Sequence, residues 1–101
     1  MEIQKVQDGD RLTVILEGSL DPNTSPELMD DLTKNVDLEH VKELVFDFKK
    51  VDYIFSVGLR VFLQIQKLVS SYNNTMKIIN ANDSIKQIFD VVGFSKIITL
   101  E

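Results

Sequence analysis

Cysteine is absent from this chain of 101 residues, which excludes a disulfide framework, a thiolate zinc site and a cysteine nucleophile. Apolar residues never run for the ~18 positions that suggest a membrane-spanning helix. Residues 1–7 also lack the basic start and apolar run of a signal peptide. These absences predict a cytoplasmic protein that does not enter a membrane.

Positive charge is scarce. The chain has 11 Lys and Arg against 16 Asp and Glu, which gives a net charge of -5 at pH 7. Nucleic-acid binding relies on clustered Lys and Arg that displace phosphate counterions, so this balance argues against a nucleic-acid surface. An acidic surface suits protein partners better.

Signatures of catalysis are missing as well. The only histidine, His40, lies among charged residues and is predicted to be a solvated turn residue. Ser56 lacks the preceding glycine of a nucleophile elbow, because Ile54 occupies that place. Gly58 belongs to no phosphate-binding glycine motif, and the carboxylate pairs show no metal-ligand spacing. The sequence therefore predicts a protein that is not an enzyme and that binds no metal or cofactor.

The residues that are present predict a single α/β domain over residues 1–101. Apolar residues repeat at strand spacing and at helix spacing in alternation, which implies parallel strands joined by helical crossovers. We expect a mixed, mainly parallel sheet of four to five strands with three to four helices. The predicted order begins with a hairpin turning at 8–10, a helix capped at its start by Thr24 or Ser25, and a buried strand at 43–48. A long helix from Ser56 follows, with Phe62 in its core-facing stripe, and then a strand at 76–80. The last elements are a helix capped by Asn82 or Asp83, with Val92 in its core-facing stripe and Gly93 at its end, and a short strand or docked tail at 96–100.

The start of the long helix has an unusual composition. Placing its residues ~100° apart puts Gly58 on the side that faces the sheet, where a missing side chain permits close approach. The same construction puts Leu59 and Leu63 on the opposite side. Together with Phe55 and Val57 they predict an exposed apolar surface, and such clusters tend to mark interaction sites.

Ser56 is predicted to occupy the N-cap position of this helix. Its hydroxyl could serve only to accept a backbone N–H, an arrangement that contributes roughly 1 kcal/mol. The same hydroxyl would also be reachable by a partner. A phosphoryl group on it would add about -1.5 to -2 charges in the middle of the apolar surface.

These residues resemble a known family. The stretches concerned are Val45-Phe46-Asp47-Phe48, Val51-Asp52-Tyr53-Ile54 and Ser56-Val57-Gly58-Leu59-Arg60, with Gly18-Ser19-Leu20-Asp21 before them and Val92-Gly93-Phe94-Ser95-Lys96-Ile97 after them. They are similar to the signature of STAS domains, in particular the stand-alone bacterial anti-sigma factor antagonists. The likeness covers nearly the whole chain, and the predicted order of elements agrees with it.

The resemblance implies a partner switch that controls transcription. The serine matching Ser56 is phosphorylated by an anti-sigma factor that is itself an ATP-dependent serine kinase, and a PP2C-type phosphatase reverses the modification. The unphosphorylated antagonist binds the anti-sigma factor, which then releases its sigma factor. By the same resemblance Asp21 lies near the phosphorylation site and the kinase contact, Arg60 belongs to the partner-binding signature, and Asp47 has a structural role. We expect a monomer or a weak dimer.

The sequence departs from the family pattern beside the serine. The preceding position usually carries a small or acidic residue but here is Phe55, and the following Val57 replaces a common Ser or Ala. A bulky Phe55 is compatible with a phosphorylatable Ser56, with altered partner choice, or with no phosphorylation. The alternative function is a STAS-type regulatory or scaffold subunit of a transporter or sensor complex. Genes for an anti-sigma kinase or for a transporter beside this one would discriminate between them.

Overall fold

The computed structural model covers residues 1–101 and has one mixed sheet with three α-helices. The strands are β1 (Glu2–Asp8), β2 (Arg11–Leu20), β3 (Glu43–Ile54), β4 (Thr75–Ile79) and β5 (Thr99–Leu100); the helices are α1 (Thr24–Lys34), α2 (Ser56–Ser71) and α3 (Asp83–Val91). Short 3₁₀ turns cover Leu38–His40 and Phe94–Lys96. The predicted fold class and element order are confirmed.

The five strands are arranged in sequence order across the sheet. β1 and β2 form the predicted antiparallel hairpin, while the β2–β3, β3–β4 and β4–β5 pairs are parallel. β3 is longer than the predicted strand at 43–48, because it continues beside β2 after a register shift and reaches Ile54 opposite Leu20. The two strand ends that precede α1 and α2 are therefore neighbours.

The three helices and one face of the sheet share a single hydrophobic core. Alternate residues of β2 and β3 point into it, as a strand covered on that face requires. Fully buried members include Val14, Leu16, Leu44, Phe46, Leu28, Leu32, Phe62, Ile65, Ile85 and Phe89. The Phe62 ring stands edge-on against Phe46, with centroids 4.9 Å apart, and this contact fixes α2 over the centre of the sheet.

Local signals fix the ends of α3. The Asn82 side chain accepts a hydrogen bond from the Ile85 N–H at 2.9 Å, as the sequence predicted for a capping residue. Gly93 has φ +80°, the left-handed conformation that follows many helices and that glycine adopts at least cost. Val92, predicted to lie in the buried stripe of this helix, is instead exposed, because it follows the last helical turn.

The longest helix, α2, has 16 residues. No helix of the structure combines the length and the apolar character that crossing a bilayer requires.

Candidate functional site

Ser56 is the first residue of α2, directly after the end of β3 and one connecting residue. Its side chain is exposed, and its hydroxyl makes no hydrogen bond within the chain. The prediction that Ser56 is the N-cap is wrong. Phe55 holds that position in an extended conformation, and its carbonyl accepts the Leu59 N–H at 3.1 Å. The Ser56 hydroxyl therefore has no structural task at the helix end.

Gly58 faces the sheet in the first turn of α2, as predicted. A Cβ atom built on it would lie 2.8 Å from Ile54 Cγ1 and 3.1 Å from the backbone oxygen of Leu20. The first distance is shorter than real Cβ atoms show, so a neighbour would have to shift, and the second is tighter than most real Cβ contacts. Glycine is thus required for α2 to begin this close to the ends of β2 and β3, and this close approach positions Ser56.

Asp21 organises the loop between β2 and α1. Its Oδ1 accepts hydrogen bonds from the N–H groups of Asn23 (2.8 Å) and Thr24 (2.9 Å), and the Thr24 hydroxyl lies 3.2 Å from the same oxygen. The predicted capping by Thr24 or Ser25 is wrong, because Asp21 bonds the free N–H groups while Thr24 donates to the Ser19 carbonyl. Ser25 is buried inside the first turn.

The hydrogen bonds to Asp21 also set its charge state. The backbone N–H groups of Thr24 and Asn23 stabilise the carboxylate and hold the pKa of Asp21 below its usual value. All of these bonds go to Oδ1, which leaves Oδ2 without an intramolecular partner. Asp21 is therefore an anionic group, half-buried at the end of β2, with one oxygen available.

Ser56 opens into a shallow hollow between α2 and the end of α3. The hollow measures about 290 Å³ and is lined by Ser56, Leu59, Arg60, Leu63, Val92 and Phe94. Arg60 is the only charged residue in this lining, is exposed, and has no carboxylate within ion-pair distance. A hydroxyl, a cationic group and apolar side chains thus share one concave surface.

The predicted exposed face of α2 needs correction. Leu59 is only 8% exposed and belongs to the core, and Leu63 is half-buried. Both leucines line the hollow beside Phe94, which itself packs against the core. The helical wheel located the sheet correctly, but it could not show that the 3₁₀ turn after α3 flanks α2. Val57 is half-buried.

Phe55, the residue that departs from the family pattern, is 46% exposed beside Ser56. Its ring meets the ring of Tyr53 edge-on, with centroids 5.0 Å apart. This geometry is the one that aromatic pairs favour. The pair presents apolar surface to the solvent directly next to Ser56. This exposure was predicted from the sequence for Phe55 but not for Tyr53.

Asp47 lies away from this surface, inside β3, at the last residue that pairs with β4. Its Oδ1 accepts the Lys49 N–H at 3.0 Å and an Asn80 side-chain N–H at 3.1 Å. Asn80 has φ +61°, a left-handed conformation that the bond to Asp47 helps to hold. These bonds are consistent with the structural role expected for Asp47.

His40 is exposed in the Leu38–His40 turn, as predicted, with its Nδ1 2.7 Å from Asp37 Oδ2. Ligand atoms of Asp37, Glu39 and His40 come within 4.8 Å of one another. All three side chains are exposed, and the Asp37–His40 pair accounts for this arrangement.

The sequence fits one protein family over nearly its whole length. Residues 2–101 match the STAS domain family. The chain belongs to that family. This STAS domain is 27% identical over 100 residues to the anti-sigma-B factor antagonist of Listeria monocytogenes, covering 96% of this chain and 84% of that protein. It is 28% identical over 94 residues to the anti-sigma-B factor antagonist of Bacillus subtilis, covering 93% of this chain and 84% of that protein.

Solved structures of other proteins share the fold of this STAS domain. An anti-sigma factor antagonist from Mycobacterium paratuberculosis superposes with a TM-score of 0.85 at 18% identity, over 98% of this chain and 83% of that one. The Bacillus cell fate determinant SpoIIAA in its phosphorylated form superposes with a TM-score of 0.76 at 13% identity, over 99% of this chain and 91% of that one.

Proposed function

We propose that this STAS domain is an anti-sigma factor antagonist whose activity is switched by phosphorylation of Ser56. The observation that carries the proposal is the exposed Ser56 hydroxyl, which has no bond within the chain and lies on an apolar surface at the start of α2. The names of the Listeria and Bacillus relatives support it. Residues 1–101 act as one domain, and the chain is not an enzyme and uses no cofactor.

The first partner is an anti-sigma factor with serine kinase activity. It transfers the γ-phosphoryl group of ATP to Ser56 Oγ, which loses its proton, and ADP leaves. The second partner is a PP2C-type phosphatase, which hydrolyses the phosphoserine. Both partners meet the domain in the cytoplasm, where the sigma factor acts.

The geometry at Ser56 explains how the domain accommodates the modification. The first-turn N–H groups of α2 receive no side-chain cap, and no acidic residue lies in that turn. A helix N-terminus of this kind stabilises an adjacent anion. The phosphorylated domain therefore keeps its fold, and the change is confined to the surface that the partner contacts.

The effect on binding follows from charge and desolvation. Unmodified Ser56 is a small neutral group between Phe55 and the leucines of the hollow, so an apolar partner surface can cover it. A phosphoryl group adds about -1.5 to -2 charges there, and burying such a charge against apolar groups is unfavourable. Phosphorylation thus releases the anti-sigma factor, which is free to hold its sigma factor again.

Asp21 is proposed to contact the kinase. The β2 and β3 ends are paired at Leu20 and Ile54, so the Asp21 loop and the start of α2 lie at the same edge of the sheet. The free Oδ2 of Asp21 can accept a hydrogen bond from a partner that reaches Ser56.

Reconstitution tests this function. An anti-sigma factor kinase from the same organism is mixed with its sigma factor, and size-exclusion chromatography follows the complex. Adding the unmodified domain should free the sigma factor, and Ser56→Asp should free much less. A wild-type domain that leaves the sigma complex intact would contradict the proposal and favour a transporter or scaffold role.

A further inference from the structure

The exposed apolar surface does not stop at α2. A second hollow of about 390 Å³ lies between the end of β3 and α3, lined by Tyr53, Ser84, Gln87, Ile88, Val91 and Val92. Val92 lines this hollow and also the one that contains Ser56. The two hollows therefore form one surface that runs from α2 across the end of α3.

Large apolar side chains concentrate on this surface. Val91 is 78% exposed, and Tyr53, Phe55 and Val92 are each close to half exposed. They account for four of the seven large hydrophobic residues that the chain exposes, although they are confined to two short segments. Contiguous apolar surface of this kind is uncommon on a monomer unless a partner covers it.

The charges of this surface indicate what the partner carries. The chain has 16 Asp and Glu, yet neither hollow is lined by a carboxylate, and Arg60 is the only ionised residue in either lining. Apolar side chains over the α3 hollow and an acidic group at Arg60 would complement this surface. In a two-fold dimer of this surface with itself, each Arg60 would meet a lining without carboxylates, so a second copy fits poorly.

We propose that the anti-sigma factor docks across both hollows, with an apolar segment over Val91 and Tyr53 and an acidic side chain on Arg60. This extension rests on the proposed function. Any macromolecule that covers Ser56 also covers Phe55, and the ring of Phe55 packs on Tyr53 at the rim of the α3 hollow. A partner that covers Ser56 therefore reaches the rim of the α3 hollow.

The same arrangement gives phosphorylation a second effect. Ser56 and Arg60 are four residues apart on one helix, where side chains are neighbours. A phosphate on Ser56 offers the guanidinium an anionic partner within the chain. It then competes with the acidic group of the anti-sigma factor for Arg60, in addition to disturbing the apolar contact.

Calorimetric titration with the purified anti-sigma factor kinase tests this docking mode. Val91→Gln should raise the dissociation constant about tenfold, because it removes an apolar contact in the α3 hollow. Ile97→Gln is the matched control, since Ile97 is 53% exposed but lines neither hollow. It should bind within twofold of wild type.

A second pair of variants tests the charge. Arg60→Gln should weaken binding at least fivefold and flatten its salt dependence, whereas Lys67→Gln, farther along α2, should do neither. If the wild-type domain binds and Val91→Gln binds with the same affinity, docking across α3 is overturned. If Arg60→Gln binds with the same affinity as wild type, the acidic contact is overturned. No binding by the wild-type domain would overturn the proposed function itself.

Discussion

The backbone oxygen of Leu20 accepts the N–H of Phe55 at 2.9 Å, and this bond joins the end of β2 to the start of α2. Asp21 directly follows Leu20 in the chain, and Ser56 directly follows Phe55. The same Leu20 oxygen would lie 3.1 Å from a Cβ atom at position 58. Glycine at that position thus allows the contact that places the anionic loop and the serine at one edge of the sheet.

Gly58→Ala should destabilise the domain. The added methyl group meets Ile54 and the backbone of Leu20, and overpacking of this kind costs roughly 1–3 kcal/mol. Gly58→Leu should prevent folding. Urea unfolding followed by circular dichroism measures the change, with exposed Gln64→Ala on the same helix as the control. A Gly58→Ala domain as stable as wild type would refute the close-approach explanation.

Leu59→Ala should lower the free energy of unfolding by about 2–4 kcal/mol, as expected for a leucine removed from a core. Phe55→Ala, at an exposed position four residues earlier, should change it by less than about 1 kcal/mol. Chemical denaturation of the two variants compares them directly. Equal, small effects would mean that Leu59 is a surface residue, as the helical wheel first suggested.

Leu63→Asp should weaken binding of the anti-sigma factor kinase more than tenfold, because it places a charge in the hollow beside Ser56. Since Leu63 is half-buried, some loss of thermal stability should accompany it, although the domain remains folded. Calorimetry measures the affinity and circular dichroism the melting temperature. Ser70→Asp, exposed near the end of α2, provides the control. Full affinity in a folded Leu63→Asp domain would exclude this part of α2 from the interface.

Asp21→Asn should reduce stability at neutral pH but not in strong acid. The pKa of Asp21 lies below its unfolded value of about 3.9, so its carboxylate stabilises the fold above that pH. This contribution is lost as the pH falls through the lower folded-state pKa. The pKa of Asp31 is lowered too, chiefly by its hydrogen bond with Lys5. Wild type and Asp21→Asn share this effect, so it cancels in their comparison.

The measurement for Asp21 is the difference in unfolding free energy between wild type and Asp21→Asn at several pH values. The difference should be largest above pH 5 and should shrink steadily below about pH 4. A difference that stays constant down to pH 2 would show that the loop uses the hydrogen-bond acceptor but not its charge.

Much of the fold could be predicted from the sequence because it depends on local periodicity. The alternation of strand and helix patterns gave the order of elements, and helical spacing placed Gly58 and Phe62 toward the sheet. Asn82 and Gly93 were predictable as helix ends because capping is decided within a few residues.

The site was harder to predict, since it depends on contacts between distant parts of the chain. Leu59 lines the same hollow as Phe94, 35 positions later, and no local pattern indicates that the two segments meet there. No sequence pattern at the end of β3 indicates that Tyr53 lines a hollow together with α3. Asp21 replaced the expected caps of α1 through a turn that begins before the helix pattern starts.

Ser56 is proposed to be the residue through which the switch acts. Intact-protein mass spectrometry after incubation with ATP and the anti-sigma factor kinase tests this role, with Ser70→Ala as a control at an exposed serine outside both hollows. We predict a gain of one phosphoryl group in wild type and in Ser70→Ala, and no gain in Ser56→Ala. No gain in wild type, or the same gain in Ser56→Ala, would contradict this role of Ser56.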